Sequence, residues 1–411
     1  MGIAVNTTPQ ILGLAPDASI DILGTEVTQA IQNLKNDVPL VRGKPTLVRV
    51  YIKPNKFDRR TSIHGEIAVS PSTTSPAKYV GSMSSVVVSA APYPDLQSQR
   101  RDIGGSLNFL LPPEAAGWSN LSVTVNRIIS PNGNIRLSAK QMISLPTTVA
   151  PPLRIKAIGL SYLLTNVGAP PITVAPDAFH FDFLRSYLGR AYPISSIAWS
   201  QIVIQADPQF APPFSGPLNA DGDDPVWLEK LRMAHNQLST LRAKDVEAGT
   251  DPRTHYYGLV SDANNGLFFR GAAKDIPEMP NPAVVAVGPV GDPQQYPPFS
   301  WDKDRSFAGW YGAHELGHTF GRSHPGFCDQ DASDPAFPTA DGRIGDNANG
   351  NMVGLDMGDP ALSLPMKPMA NETCHDIMTY CDNQWISAYT YQAILKRLID
   401  ENVVFRPIAR A

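Results

Sequence analysis

Cysteine is scarce in this chain, with three in 411 residues, too few for the disulfide framework that holds small secreted domains together. A dominant charge is also missing. The 34 basic residues against 38 acidic ones leave a formal net charge of -4, and no long lysine or arginine run is present to track a phosphate backbone, which argues against nucleic acid as a partner. No stretch of eighteen apolar residues exists, so no transmembrane helix is expected. The opening residues, MGIAVNTTPQ, lack the basic and apolar regions of a secretory signal, so export requires a signal already removed or an unconventional route.

Proline and glycine, by contrast, are plentiful, at 39 and 31 residues, beside 42% hydrophobic and 18% charged residues. That balance fits a globular, loop-rich protein with much β structure. A chain this long exceeds what one core usually supports, so two domains, or one large domain with appendages, are expected. Between residues 18 and 148 the apolar stretches are short: PTLVRVYI, GEIAVS, YVGSMSSVVVSA, GSLNFLLP and LSVTVNRI. Pro, Gly, Asn and Ser clusters separate them, the pattern of an all-β sandwich. EVTQAIQNL suits a short helix or a strand equally. This half holds no catalytic constellation. The prolines of SLPTTVAPPLR, around residues 144 to 154, mark a linker and set the expected domains at 1–150 and 151–411.

Beyond the linker strands alternate with long helices. RIKAIGLSYLL, IAWSQIVIQ, HYYGLVSD, LFFRGAA and AVVAVGP read as strands, whereas PDAFHFDFLRSYLG and DPVWLEKLRMAHNQLSTLRAKDVEAG read as helices, which predicts an α/β layer. Residues 325 to 372 are rich in Pro, Gly, Asp and Asn and read as a long irregular loop. Its Asp331, Asp334, Asp341, Asp346 and Asp356 could bind Ca²⁺ but lack the spacing of an EF-hand loop. DGDD at 221 to 224 is most simply a solvated turn. His64, His180, His235, His255 and His375 have no partner spacing that marks them and read as structural or surface residues.

Residues 314 to 324, HELGHTFGRSH, carry the chemistry. The preceding RSFAGWYGAHELGHTF has helical periodicity, with Trp310, Ala313, Gly317 and Phe320 on one face expected to pack on the sheet. On another face His314 and His318 stand one turn apart, the separation two imidazoles need to grip one Zn²⁺. A third ligand reaches the same ion only if the chain leaves the helix sharply, and Gly321 permits the positive φ that such a turn needs. His324 then completes a three-nitrogen site with its fourth position left to water, a catalytic arrangement. Glu315 is placed to act as general base on that water in peptide hydrolysis.

With HExxHxxGxxH matched at every fixed position, the chain resembles the metzincin zinc endopeptidases, in particular bacterial secreted members with an Ig-like sandwich in front. The resemblance implies a multidomain protein whose all-β sandwich precedes an α/β (α+β) catalytic domain with a mixed twisted sheet and an active-site helix. It also implies a methionine turn beneath the metal, for which CHDIMTYC at 374 to 381 supplies Met378. Tyr380 takes the place of a tyrosine that in some members ligates zinc or stabilises the oxyanion. A sheet edge that pairs with an extended substrate is implied too; LFFRGAA is the candidate, with Phe269, Gly271 and Ala272 as substrate-binding residues. Related enzymes join a cysteine after the third histidine to one after the methionine turn, which here means Cys328 with Cys381, although Cys328 with Cys374 remains open. About fifty residues separate His324 from the turn, more than compact members use. The implied protein is secreted or extracellular, monomeric, loaded with one catalytic Zn²⁺ and active on protein or glycoprotein. A second reading, an adhesion or binding protein whose peptidase-like module keeps zinc with little turnover, is disfavoured by the intact Glu315.

Overall fold

The computed structural model describes residues 17–89, 93, 95–139, 141–164, 170–210, 225–261, 271–290, 308–328, 334–339, 341–346 and 351–405. They form a mixed α/β protein of several sheets, β-rich at its N-terminal end. None of the described helices is long and apolar enough to cross a membrane. The chain divides into two compact units. The first comprises residues up to Thr28, Leu34–Asn36 and Pro45–Thr147, and the second Gln29–Asn33, Asp37–Lys44 and Thr148–Ala411. The division at Thr147/Thr148 lies close to the expected 150, but two short N-terminal segments belong to the second unit. No local signal marks them, because what assigns them is the partners they meet far along the chain.

In the first unit Ser19–Thr28 pairs antiparallel with Leu47–Asn55, which pairs in turn with Leu107–Leu110. Thr61–Ser70 runs antiparallel to Asn120–Ser130. Alternation along these strands buries Ile63, Ile67 and Val69 together with Val123 and Val125, each such side chain contributing roughly 1.5–3 kcal/mol relative to exposure.

Numbering the main elements of the second unit alone, its sheet contains β1 (Leu153–Leu164), β2 (Ile172–Val174), β3 (Ile197–Gln205), β4 (His255–Val260), β5 (Ala272–Ala273) and β6 (Ala286–Pro289). Its helices are α1 (Ala178–Ala191), α2 (Pro225–Glu247), α3 (Ala308–Thr319) and α4 (Ala388–Val404). The strand order is β3–β1–β4–β6–β5. These strands run parallel except β5, which is antiparallel to β6 at one edge. The short β2 also pairs antiparallel with β1. Strand alternation sends neighbouring side chains to opposite faces. Tyr257, Leu259 and Ala286 join a core with Leu184 of α1, Leu316 of α3 and Tyr391 of α4. Tyr256, Val260 and Val287 join another with Leu231 and Leu238 of α2.

Two expectations need correction. The stretch from 325 to 372 is not wholly irregular, because Val353–Asp356 pairs antiparallel with both Lys367–Met369 and Ile31–Gln32. The last partner lies over three hundred residues away, so no local pattern could announce the sheet. The face of α3 carrying Trp310, Ala313, Gly317 and Phe320 meets the sheet in part, through Phe320, whose ring lies 4.3 Å from that of His255 on β4. Ala313 accepts a hydrogen bond from the Tyr192 hydroxyl at 2.5 Å, and Phe320 packs edge-on against the same ring. Tyr311 and Gly312 add a second contact with the sheet, set against Gly288 and Tyr257.

Candidate metal centre

Helix α3 ends in a left-handed turn that the sequence makes possible. Gly321 has φ of +75°, its N–H donates to the His318 carbonyl at 2.8 Å, and the Arg322 N–H reaches back to the Gly317 carbonyl at 3.0 Å. This pair of bonds is the Schellman closure. The chain thereby reverses, and His324 returns toward the helix face that holds His314 and His318. The Nε2 of His324 lies 3.1 Å from that of His314 and 2.9 Å from that of His318. The three histidines could hold a metal ion, and among the described residues theirs is the cluster with that geometry.

The tautomers follow from the partners on the far side of two of the rings. His314 Nδ1 lies 2.7 Å from the Ile377 carbonyl and His318 Nδ1 2.6 Å from the Arg322 carbonyl. A carbonyl oxygen only accepts, so each Nδ1 carries the proton and each neutral ring presents a bare Nε2 lone pair to the cluster. This is the pattern of metal-ligating imidazoles, whose second nitrogen is fixed by an outer hydrogen bond. Burial holds the rings neutral: it depresses His314 far below the usual histidine range, assisted by its two neighbours. His318 is pushed down to about 4, and His324, also beside His318, to about 3. Lone pairs converging in a buried place, with protonation disfavoured, fit a cation ligated by nitrogen.

Glu315 is buried beside the first ligand. Burial raises its carboxyl well above the usual range, opposed by a hydrogen bond from the backbone of Ala273. That bond bears on the expected edge. Phe269 lies outside the described residues, whereas β5 is the edge strand as anticipated. Lys274 N–H donates to Val285 at 2.9 Å, so Ala273 turns its own N–H and carbonyl away from β6. Ala272, named from the sequence, faces inward and its carbonyl meets His235 Nε2 at 2.9 Å; Gly271 N–H donates to the Tyr311 hydroxyl at 3.1 Å. The outward residue is therefore Ala273, one place along from the expectation.

The methionine turn lies under α3. Met378 is buried, and its Sδ would stand 2.5 Å from a Cβ at Gly317, so only glycine admits this approach. Asp376 shapes the turn: its carboxylate accepts from the N–H of Met378 at 2.8 Å and of Ser387 at 2.9 Å, while burial raises its pKa against these bonds. The turn in this way aims the Ile377 carbonyl at His314. Tyr380 is 53% exposed, with its ring 5.6 Å from that of His314 and 5.2 Å from that of His324.

Cys328 and Cys381 form a disulfide spanning 53 residues, and Cys374 is a buried free thiol. Closing a loop of that size removes about 4 kcal/mol of unfolded-chain entropy in the chain-entropy picture. Arg322 pairs with Asp334 at 2.9 Å and stacks its guanidinium over Tyr389, which braces the segment after His324. Of the aspartates considered for Ca²⁺, Asp331 lies outside the described residues. Asp334, Asp341 and Asp356 pair with Arg322, Arg343 and Arg190. Sequence reasoning missed Asp376 and the two orienting carbonyls. An Asp two residues before Met378 is a recognisable turn former, but backbone carbonyls leave no mark in a sequence. No protein-family profile matches the chain, and no curated protein matches it either.

Proposed function

We propose that the second unit is a zinc-dependent endopeptidase of the metzincin type, hydrolysing peptide bonds of protein or glycoprotein substrates. One observation carries the reading: bare Nε2 lone pairs from helix α3 meet the Nε2 of His324 beside a buried carboxylate, at the foot of a sheet edge. Three imidazoles suit Zn²⁺, whereas Ca²⁺ and Mg²⁺ take oxygen ligands. When bound, Zn²⁺ supplies Lewis acidity toward a peptide carbonyl and lowers the pKa of water toward neutrality.

The residues of the chain supply the rest. His314, His318 and His324 would hold the ion, their orientation kept by Ile377, Arg322 and the turn at Gly321. Glu315, as the carboxylate, would take the proton of the attacking water and hand it to the leaving amine. Ala273, whose N–H is held by Glu315, offers its outward carbonyl to an extended substrate, and the half-exposed Tyr380 offers a hydroxyl to the developing oxyanion. The mixed sheet with one antiparallel edge above Glu315 fits such an enzyme. The antiparallel strand pairs of the first unit support an Ig-like accessory sandwich, and the disulfide favours an oxidising, extracellular setting.

The test compares casein and mucin cleavage by the wild type and Glu315→Gln, with bound metal measured in both. The variant is expected to keep its zinc and lose roughly 10²- to 10⁴-fold in rate. Equal rates would remove the peptidase reading.

A further inference from the structure

The sheet of the second unit has two edges, and they are protected very differently. At one, β5 is only two residues long and is followed at once by Lys274, both common devices for blunting an edge. At the other, β3 runs for nine residues as IAWSQIVIQ, with no charged side chain and no proline. Among the described residues no strand pairs along its outer side. Ile202 is 47% and Val203 46% exposed.

The direction of its open groups can be worked out. Leu153 N–H donates to the Ser196 carbonyl, and Ala206 N–H to the Ser161 carbonyl. Backbone direction alternates along a strand, so residues 198, 200, 202 and 204 face β1, while Ile197, Trp199, Gln201, Val203 and Gln205 turn their N–H and C=O groups outward. Of these, the Gln205 carbonyl accepts from Gln237.

From this we infer that β3 is the interface of a two-fold dimer, in which the strand pairs antiparallel with β3 of a second copy about Gln201. Such a register sets outward residues directly opposite outward residues, as an antiparallel ladder requires. It is also complementary in size on both faces. On one, Trp199 lies against Val203 of the second copy, an aromatic and β-branched pair of the favoured kind. On the other, the small Ala198 and Ser200 lie against the large Ile204 and Ile202 of the second copy. Two-fold symmetry makes each pair twice, the self-complementarity of an isologous interface. Because the strand carries no charge, no like charges meet. One strand from each copy is a small interface, so dissociation in the micromolar range is expected.

The experiment is sedimentation of the full chain from about 1 to about 100 µM. The mass should rise with concentration from 44.5 kDa toward twice that value. Ile202→Lys, an exposed change whose folding is checked by its melting curve, should weaken association at least tenfold. Gln201→Cys should oxidise to a covalent dimer, since facing hydrogen-bonded residues stand about 5.5 Å apart at Cα, within disulfide reach. The buried Cys374 of the wild type should not cross-link. A wild type that stays monomeric at the highest concentration overturns the proposal and leaves the edge to a different partner. A dimer that survives Ile202→Lys and gives no Gln201→Cys cross-link overturns it as well.

Discussion

Two buried polar clusters, one in each unit, handle their groups in opposite ways. In the first, Glu26, Arg49, Tyr51 and Arg100 are almost completely buried. Their groups close on one another: Arg100 binds Glu26, the Tyr51 hydroxyl donates to Glu26, and Arg49 donates to the carbonyls of Arg100 at 2.8 Å and Asp102 at 3.0 Å. In the second, His314, His318 and Glu315 are equally buried, yet the two rings spend their only N–H on backbone and leave bare nitrogens pointing together. A closed network specifies a fold, because every member is answered from within the chain. An open one asks for something the chain does not contain. The histidines therefore read as a site and the arginines as architecture, although both are buried polar clusters.

That contrast can be broken by mutation, and the largest effect is expected at the metal. His318→Ala should abolish stoichiometric zinc binding and reduce peptide hydrolysis by more than about 10³-fold, while metal-free protein unfolds no more easily than wild type. Metal analysis beside calorimetry checks both halves. An alanine variant that loses its stability in the metal-free state would place the histidines with the architecture.

Next in size is the reverse experiment in the first unit. Arg100→Ala leaves Glu26 buried and unpaired, which should cost about 3–5 kcal/mol in denaturant unfolding. Replacing Arg100 and Glu26 together by apolar residues of similar volume should recover most of that loss.

Acid gives a smaller and graded test. His318 and His324 are depressed from the ordinary histidine value to about 4 and about 3, so the unfolded chain binds their protons more readily than the folded one. Stability of the metal-free protein is thus fully present above about pH 6.5 and falls as the pH drops through 4 toward 3. Thermal unfolding of metal-free samples across that window reads it out, and zinc should delay the loss by holding the rings unprotonated. The smallest change is expected for Met378→Leu, a volume-conserving swap under Gly317 that should cost under about 1.5 kcal/mol and leave zinc bound.

The legible parts of the site are those set by local geometry. His314 and His318 are four apart, so any helix brings them to one face, and Gly321 follows as the residue able to take the left-handed turn. The long strands Leu153–Leu164, Ile197–Gln205 and His255–Val260 and the helices Ala178–Ala191 and Pro225–Glu247 were likewise readable from their period. Less legible was anything that depends on a distant partner. Only the ladder register shows that Ala273, and not Ala272, turns its backbone groups outward, and nothing local announces that Ile31–Gln32 pairs with Val353–Asp356.

By itself the sequence determined the three candidate histidines, the carboxylate beside the first of them and the glycine turn that brings in the third ring. Periodicity and backbone freedom are properties of neighbours along the chain. Tertiary structure alone decided which nitrogen His314 and His318 present to the cluster. That choice rests on carbonyls of Arg322 and Ile377 and on the buried Asp376, groups whose hydrogen bonds exist only once the chain has folded back and excluded water.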